Sequence, residues 1–370
     1  MKLRAFLSIL MIAGPASILE AQARTITVST RPTCIHCTLQ FQHLFDIGDD
    51  DGPGMVDIED RVVRDSRGRF FVVSSYGTEV RVFDVSGTYL RTIGRKGGGP
   101  GEFQGISAVR ITRGDTIRIL DYTLSRLTVV GPQLDVRRST PLGLVPQIRA
   151  VVLDDGSAVV NIDSRLPKLI GQPLHVLDTT GRVARSFGSD REPLRSNAPM
   201  SLDRVLSSRG GSELWVAHEK SYVIERWNAA NATLLQRLDR VTSWFPNQQR
   251  QPAREWNALR DPPETRVVYL REDGRGRLWT TISVADRRWK GAVRAKERDH
   301  FEIINGREYT DLIVEVQDPR TATLVASMRF DALPYYFISD SLAAGFPQER
   351  NGKIVLPIYR STMVDTTVRK

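Results

Sequence analysis

Two cysteines in 370 residues exclude a disulfide-dense scaffold and a zinc protein held by several thiolates. No Gly-x-Ser-x-Gly occurs, so the nucleophile elbow of a Ser-His-Asp hydrolase is missing. There is no helix-turn-helix, zinc-finger or RNA-binding signature, and nucleic acid is therefore not an expected partner despite a net charge of +9. Lysine is scarce, 8 residues against 44 arginines, a bias that codon usage alone can produce. An amphipathic helix of three turns is absent from residues 56–240. What is present is a chain 41% hydrophobic, too apolar for disorder.

The one long apolar run lies at the N-terminus. Lys2 and Arg4 precede an apolar core from Ala5 to Leu19, and Ala21-Gln22-Ala23 supplies a small-x-small cleavage triplet. The core is too short to span a bilayer as a helix of about 20 residues. We read residues 1–23 as a signal peptide and expect a periplasmic or extracellular chain without a transmembrane segment after cleavage. Residues 24–37 then form an N-terminal segment carrying Cys34-Ile35-His36-Cys37. In an oxidising compartment a short-loop disulfide between Cys34 and Cys37 is the favoured reading. A redox pair would need a βαβ context, and covalent haem attachment would need histidine where Thr38 stands.

From residue 38 to 370 the pattern is of strands. Runs such as Phe70-Phe71-Val72-Val73 and Val80-Arg81-Val82-Phe83 alternate with turns built on glycine. Gly68, Gly114, Gly156, Gly211, Gly276 and Gly352 each lead into an apolar strand. Asp84, Gly87 and Gly94 recur at the same offsets as Asp178, Gly181 and Gly188, 94 residues later, which is two units near the length of a four-stranded propeller blade. Ile47-Gly48 with Gly52-Pro53-Gly54 echoes Ile93-Gly94 with Gly99-Pro100-Gly101. The first segment thus looks like the last strand of a blade, and the unit from Tyr335 to Arg360 looks like a blade lacking one. The expectation is a single all-β domain, a six-bladed β-propeller closed by Leu39–Ile47 in its last blade, with no open sheet edges.

The Asp-x-x-Gly turns, Val82-Phe83-Asp84-x-x-Gly87, and Gly98-Gly99-Pro100-Gly101-Glu102-Phe103 resemble the exported bacterial six-bladed propellers of the NHL-repeat kind, within the TolB-like fold group. The resemblance is strongest over residues 38–190. It implies a fold and export, and no particular activity, since such rings host lyases, lactonases, hydrolases and plain binding platforms.

Two sets of residues are candidates for function. Ser74, Asp121, Asp163, His218 and Ser283 end equivalent strands and would share one face of the ring. Asp121, Asp163 and His218 could hold a cation there, or each could cap its own hairpin. The second set, Trp244, Arg250, Arg254, Trp256, Arg287, Arg288 and Trp289, falls in long insertions of blades four and five. Aromatics with arginine suit a glycan, an acidic ligand or a protein partner, or else the insertions pack against the ring. The favoured function is a binding platform without catalysis, monomeric and without a cofactor. The alternative is a metal-assisted hydrolase, lactonase or lyase working at the channel mouth.

Overall fold

The computed structural model describes residues 23–367 except 58–59, 75–76, 145–148, 163–170, 189–202, 209, 246–256, 297–299 and 332–335. Its strands form six antiparallel sheets arranged as the blades of a propeller. Blade one is Asp60–Arg64, Phe70–Ser74, Val80–Phe83 and Tyr89–Ile93. Blade two runs from Ile106–Ile111 to Val136–Pro141, blade three from Ala150–Val152 to Val183–Phe187, and blade four from Arg204–Ser207 to Thr233–Asp239. Blade five consists of Arg266–Glu272, Leu278–Ala285, Thr310–Asp318 and Thr323–Phe330. Blade six combines Tyr336–Phe337, Leu342–Ala344 and Lys353–Asp365 with the N-terminal strand Cys37–Ile47.

The closure expected from the sequence is present. Cys37–Ile47 pairs with Lys353–Asp365 from Cys37 opposite Asp365 to Ile47 opposite Leu356. Six separate hydrophobic clusters fill the six seams between neighbouring blades. This explains the continuous apolar runs in the second strand of each blade, which is buried on both faces. Phe71 and Val73 face blade two, while Phe70 and Val72 face blade six. Likewise Trp215 packs towards blade five and Leu214 towards blade three.

The turns show why the aspartate–glycine spacing recurs. Asp84 Oδ1 accepts the backbone N–H groups of Ser86 and Thr88, and Asp178 Oδ1 those of Thr180 and Arg182. The glycine between them is left-handed, φ +89° at Gly87 and +83° at Gly181, where a Cβ is disfavoured.

The first strand of each blade lies innermost and lines a central channel. These strands touch in series from blade one to blade five. Two tyrosines complete the ring: Tyr269 Oη donates to Phe337 O across the seam between blades five and six, and the Val62 N–H donates to Tyr336 Oη between six and one. One element was not foreseen. Arg24–Thr27 adds to the outer edge of blade four as a parallel strand, Arg24 opposite Gln236 and Thr27 opposite Asp239. The chain then crosses the edge of blade five, where Thr33 N and Cys34 N donate to Leu324 O and Val325 O, before entering blade six. Cys34 and Cys37 are disulfide-bonded at that corner.

Candidate functional site

In a four-stranded blade, the connections from second to third strand and from one blade to the next emerge at the same end of the ring. The two longest connections, residues 240–265 and 286–309, both do so, on neighbouring blades. The second carries a short hairpin of its own, Val293–Lys296 with His300–Ile303, which exposes Phe301, Ile303 and Ile304.

At the same end of the ring, arginines begin or directly precede innermost strands, Arg204 buried and Arg149 and Arg266 partly exposed. Arg204 and Arg266 open those of blades four and five, and Arg149 directly precedes that of blade three. Glu219, almost fully buried, is the counter-charge: Arg149 Nη1 pairs with its Oε2, and Arg266 Nη1 stands 3.4 Å from its Oε1. Arg149 Nη1 also lies 3.5 Å from Asp203 Oδ1. The backbone fixes this arrangement. The Arg204 N–H donates to Asn161 Oδ1 at 2.9 Å, and the Val267 N–H donates to Glu219 O at 2.8 Å, so blades three, four and five are held in register at the rim. A small cleft of about 80 Å³ opens beside it, lined by Pro263, Glu264, Arg266, Ser283, Tyr309 and Thr310.

Farther along the innermost strands are Arg110 of blade two and Tyr269 of blade five, the latter packed in the seam with blade six. Arg110 donates through Nε to Ala150 O at 3.1 Å and through Nη1 to Val109 O at 2.9 Å. Burial lowers its proton affinity below the usual arginine range. Burial pushes the Tyr269 phenol up to about 12.

The strand-end residues read from the sequence hold equivalent positions. Ser74, Asp121, His218 and Ser283 each pair with the first residue of an innermost strand, Asp60, Ile106, Arg204 and Arg266. Their side chains are engaged differently. Asp121 accepts the backbone N–H groups of Gln104 and Leu124 at 2.7 and 2.9 Å, capping its own hairpin. His218 Nε2 lies 3.5 Å from Glu225 Oε2 in blade four, while Asp163 lies outside the described residues. Ser283 lines the cleft beside Arg266.

Among the aromatic and arginine candidates, Arg250, Arg254 and Trp256 lie outside the described residues. Trp244 packs on Tyr222 and Phe245 against the seam of blades four and five. Arg287 is exposed. Arg288 pairs with Asp286 and Glu308 at 3.2 and 3.4 Å, and Trp289 lies under the Lys290 ammonium.

Another acidic group was not singled out by the sequence. Asp286, Asp311 and Asp331 each bring a carboxylate oxygen within 4.8 Å of the others, a donor set of the kind that holds a hard cation. Arg288 and Arg329 already supply positive charge to it. The Arg288 hydrogen bonds hold Asp286 far below the usual carboxylate range, whereas burial, with Asp286 alongside, raises Asp311.

No curated protein matches the sequence. Among solved structures, a presumed exported protein from Bacteroides fragilis is similar with TM-score 0.55 at 12% identity, over 92% of this chain and 100% of that one. A member of the duf4221 family from Bacteroides vulgatus is similar with TM-score 0.58 at 10% identity, over 88% and 99%. At such identities the likeness concerns fold alone. The chain is a six-bladed β-propeller, and its residues 57–129 match the family described as 6-bladed beta-propeller.

Proposed function

We propose that this chain is exported and serves as a non-catalytic binding platform that takes an acidic ligand or partner at the loop-bearing end of the ring. The observation that carries this reading is the convergence there of the two longest connections with the arginine rim. Loops on a rigid scaffold are where recognition surfaces are usually built, and Arg149 and Arg266, partly exposed beside Glu219, have guanidinium N–H groups left to offer a carboxylate. Export rests on the charged, apolar and small-residue order of residues 1–23.

The test is binding of the purified chain to acidic and neutral glycans and to acidic peptides. Acidic probes should bind preferentially, weaken as salt rises, and weaken further in Arg149→Ala and Arg266→Ala. Equal binding of neutral probes, or no binding of any acidic one, overturns the reading. A stoichiometric divalent ion lost in His218→Ala or Asp163→Ala would instead favour metal-assisted hydrolysis or lyase chemistry.

A further inference from the structure

Blade five gathers carboxylates at the loop-bearing end of its outer strands. Asp286 directly follows Leu278–Ala285, Asp311 is the second residue of Thr310–Asp318, and Asp331 directly follows Thr323–Phe330. The register explains why they meet. Val284 pairs with Asp311, and Asp286, two residues on, returns to the same face of the sheet. Leu312 pairs with Phe330, so the next residue of that strand, Asp331, comes beside Asp311. One carboxylate oxygen of each lies within 4.8 Å of the others.

Asp311 carries an unmet need. It is 4% exposed, and its two oxygens are treated differently. Oδ2 takes Arg329 Nε at 2.7 Å and Nη2 at 2.6 Å, while Oδ1 is buried without any hydrogen-bond donor. Buried polar atoms are normally satisfied, and with Oδ2 turned to Arg329, Oδ1 is left for the side of Asp286 and Asp331. Asp286 comes close enough to Asp311 to share a hydrogen bond, yet two ionised carboxylates are both acceptors. Such a contact needs a proton or a cation between them. The local charge favours a cation. Four carboxylates, Asp286, Glu308, Asp311 and Asp331, share two guanidinium groups, because Arg288 serves both Asp286 and Glu308 and Arg329 serves Asp311. Two negative charges are left over, the complement of one divalent ion.

We propose that Asp286, Asp311 and Asp331 bind one calcium ion, which ties the start of the 286–309 connection to the third and fourth strands of blade five. Ligand oxygens about 2.4 Å from one ion lie at most about twice that distance apart, as these do. The group contains neither histidine nor cysteine, so its donors suit a hard cation and not zinc or copper. Calcium accepts an irregular shell, whereas magnesium demands a near-ideal octahedron, and two of these carboxylates are already fixed by arginines. Asp331 is exposed, which gives the ion an entry path and leaves room for water ligands. This site is separate from the arginine rim and does not depend on the acidic-ligand reading.

Calorimetric titration of the full mature chain, stripped with chelator and exchanged into buffer at neutral pH, with calcium chloride tests the site. Saturable binding of one ion per chain is expected, with a dissociation constant of about 10⁻⁴–10⁻³ M, the range of extracellular calcium modules. Removing one charged ligand should weaken it about tenfold or more in Asp331→Asn, and Asp311→Asn should abolish it. Asp318→Asn, at the opposite end of the same blade, should bind as wild type. Calcium should raise the melting temperature of wild type and leave that of Asp331→Asn unchanged, because only a folded site binds the ion. Asp331 is exposed, so its variant decides the matter if Asp311→Asn does not fold. No saturable binding up to about 10 mM calcium, or equal binding by wild type and Asp331→Asn, overturns the site. So does an ion that is lost in His218→Ala and kept in Asp331→Asn. If a shared proton holds Asp286 and Asp311 together instead, calcium will not bind and Asp311→Asn will be at least as stable as wild type, which also overturns it.

Discussion

Arg240 and Glu315 meet as a two-pronged pair across the seam between blades four and five, Nε to Oε2 and Nη2 to Oε1 both at 3.0 Å. Both are buried, and Glu315 also accepts from Tyr222 Oη at 2.8 Å and Ser327 Oγ at 3.1 Å. Gln317 Nε2 completes the network by donating to Tyr222 Oη. Removing one member leaves the other charge buried without its counter-ion. Arg240→Met should therefore lower unfolding free energy by about 3–5 kcal/mol, and adding Glu315→Gln should recover part of that loss. Urea denaturation of the two variants checks this; equal stability of both would show that the seam does not depend on the pair.

Glu225 gives a pH signature. Burial opposes its ionisation, but His218, the Trp227 Nε1–H at 2.9 Å and Arg237 at 2.8 Å together hold the carboxyl down at about 2. A carboxylate depressed in the folded state stabilises the protein above its unfolded value and loses that contribution as pH falls through the folded value. The contribution should be complete above about pH 4.5 and fade towards pH 2, up to ~3 kcal/mol in all. Glu225→Gln should flatten the stability curve across that window. Thermal unfolding at successive pH values would reveal the difference as converging curves for wild type and variant at low pH.

The parts legible in the sequence were those governed by local chemistry. Asp84 and Asp178 announce their turns because one side chain and one left-handed glycine determine each bend. Ile47-Gly48 announced the closing strand because it repeats the strand end at Ile93-Gly94. Parallel docking of Arg24–Thr27 had no such signature, since edge pairing is set by a distant partner, Gln236–Asp239. The rim arginines were hidden for the same reason. Arg149 and Arg266 are 117 positions apart, and only the ring brings both to Glu219. The long insertions could be located from spacing, but not the small sheet inside one of them, whose strands are four residues each.

Two glycines separate backbone strain from crowding. Gly94 and Gly114 are both left-handed, φ +86° and +75°. A Cβ at Gly114 meets nothing within 4 Å, whereas one at Gly94 would lie 2.4 Å from Phe103 Cε2, a ring fully buried in the seam of blades one and two. Gly114→Ala should cost about 1–2 kcal/mol from conformation alone. Gly94→Ala should cost roughly 1–3 kcal/mol more, because the ring or the turn must move. Similar melting temperatures for the two variants would place the Phe103 contact outside the energetics.

The N-terminal strap gives the most demanding test of the fold. Residues 24–34 run along the outer edges of blades four and five, burying Val28 and placing Ser29 Oγ as acceptor for the Leu324 N–H at 2.9 Å. Residues 37–47 are themselves the outermost strand of blade six, and Leu39 and Ile47 belong to its two seams. The two stretches should therefore fail differently. Deleting residues 24–33 should leave a folded ring, less stable by about 3 kcal/mol from lost apolar burial, with two bare edges that promote association as concentration rises. Deleting residues 24–47 should abolish cooperative unfolding, because Lys353–Asp365 loses its outer partner and two seams open at once. Adding a synthetic peptide of residues 37–47 to that truncation should restore a cooperative transition. Opening the Cys34–Cys37 bond by Cys34→Ser with Cys37→Ser should cost at most about 2 kcal/mol, since so short a loop restrains the unfolded chain little. Light scattering and thermal unfolding on the three variants distinguish these outcomes, and a stable monomer lacking residues 24–47 would mean that the ring does not need its closing strand.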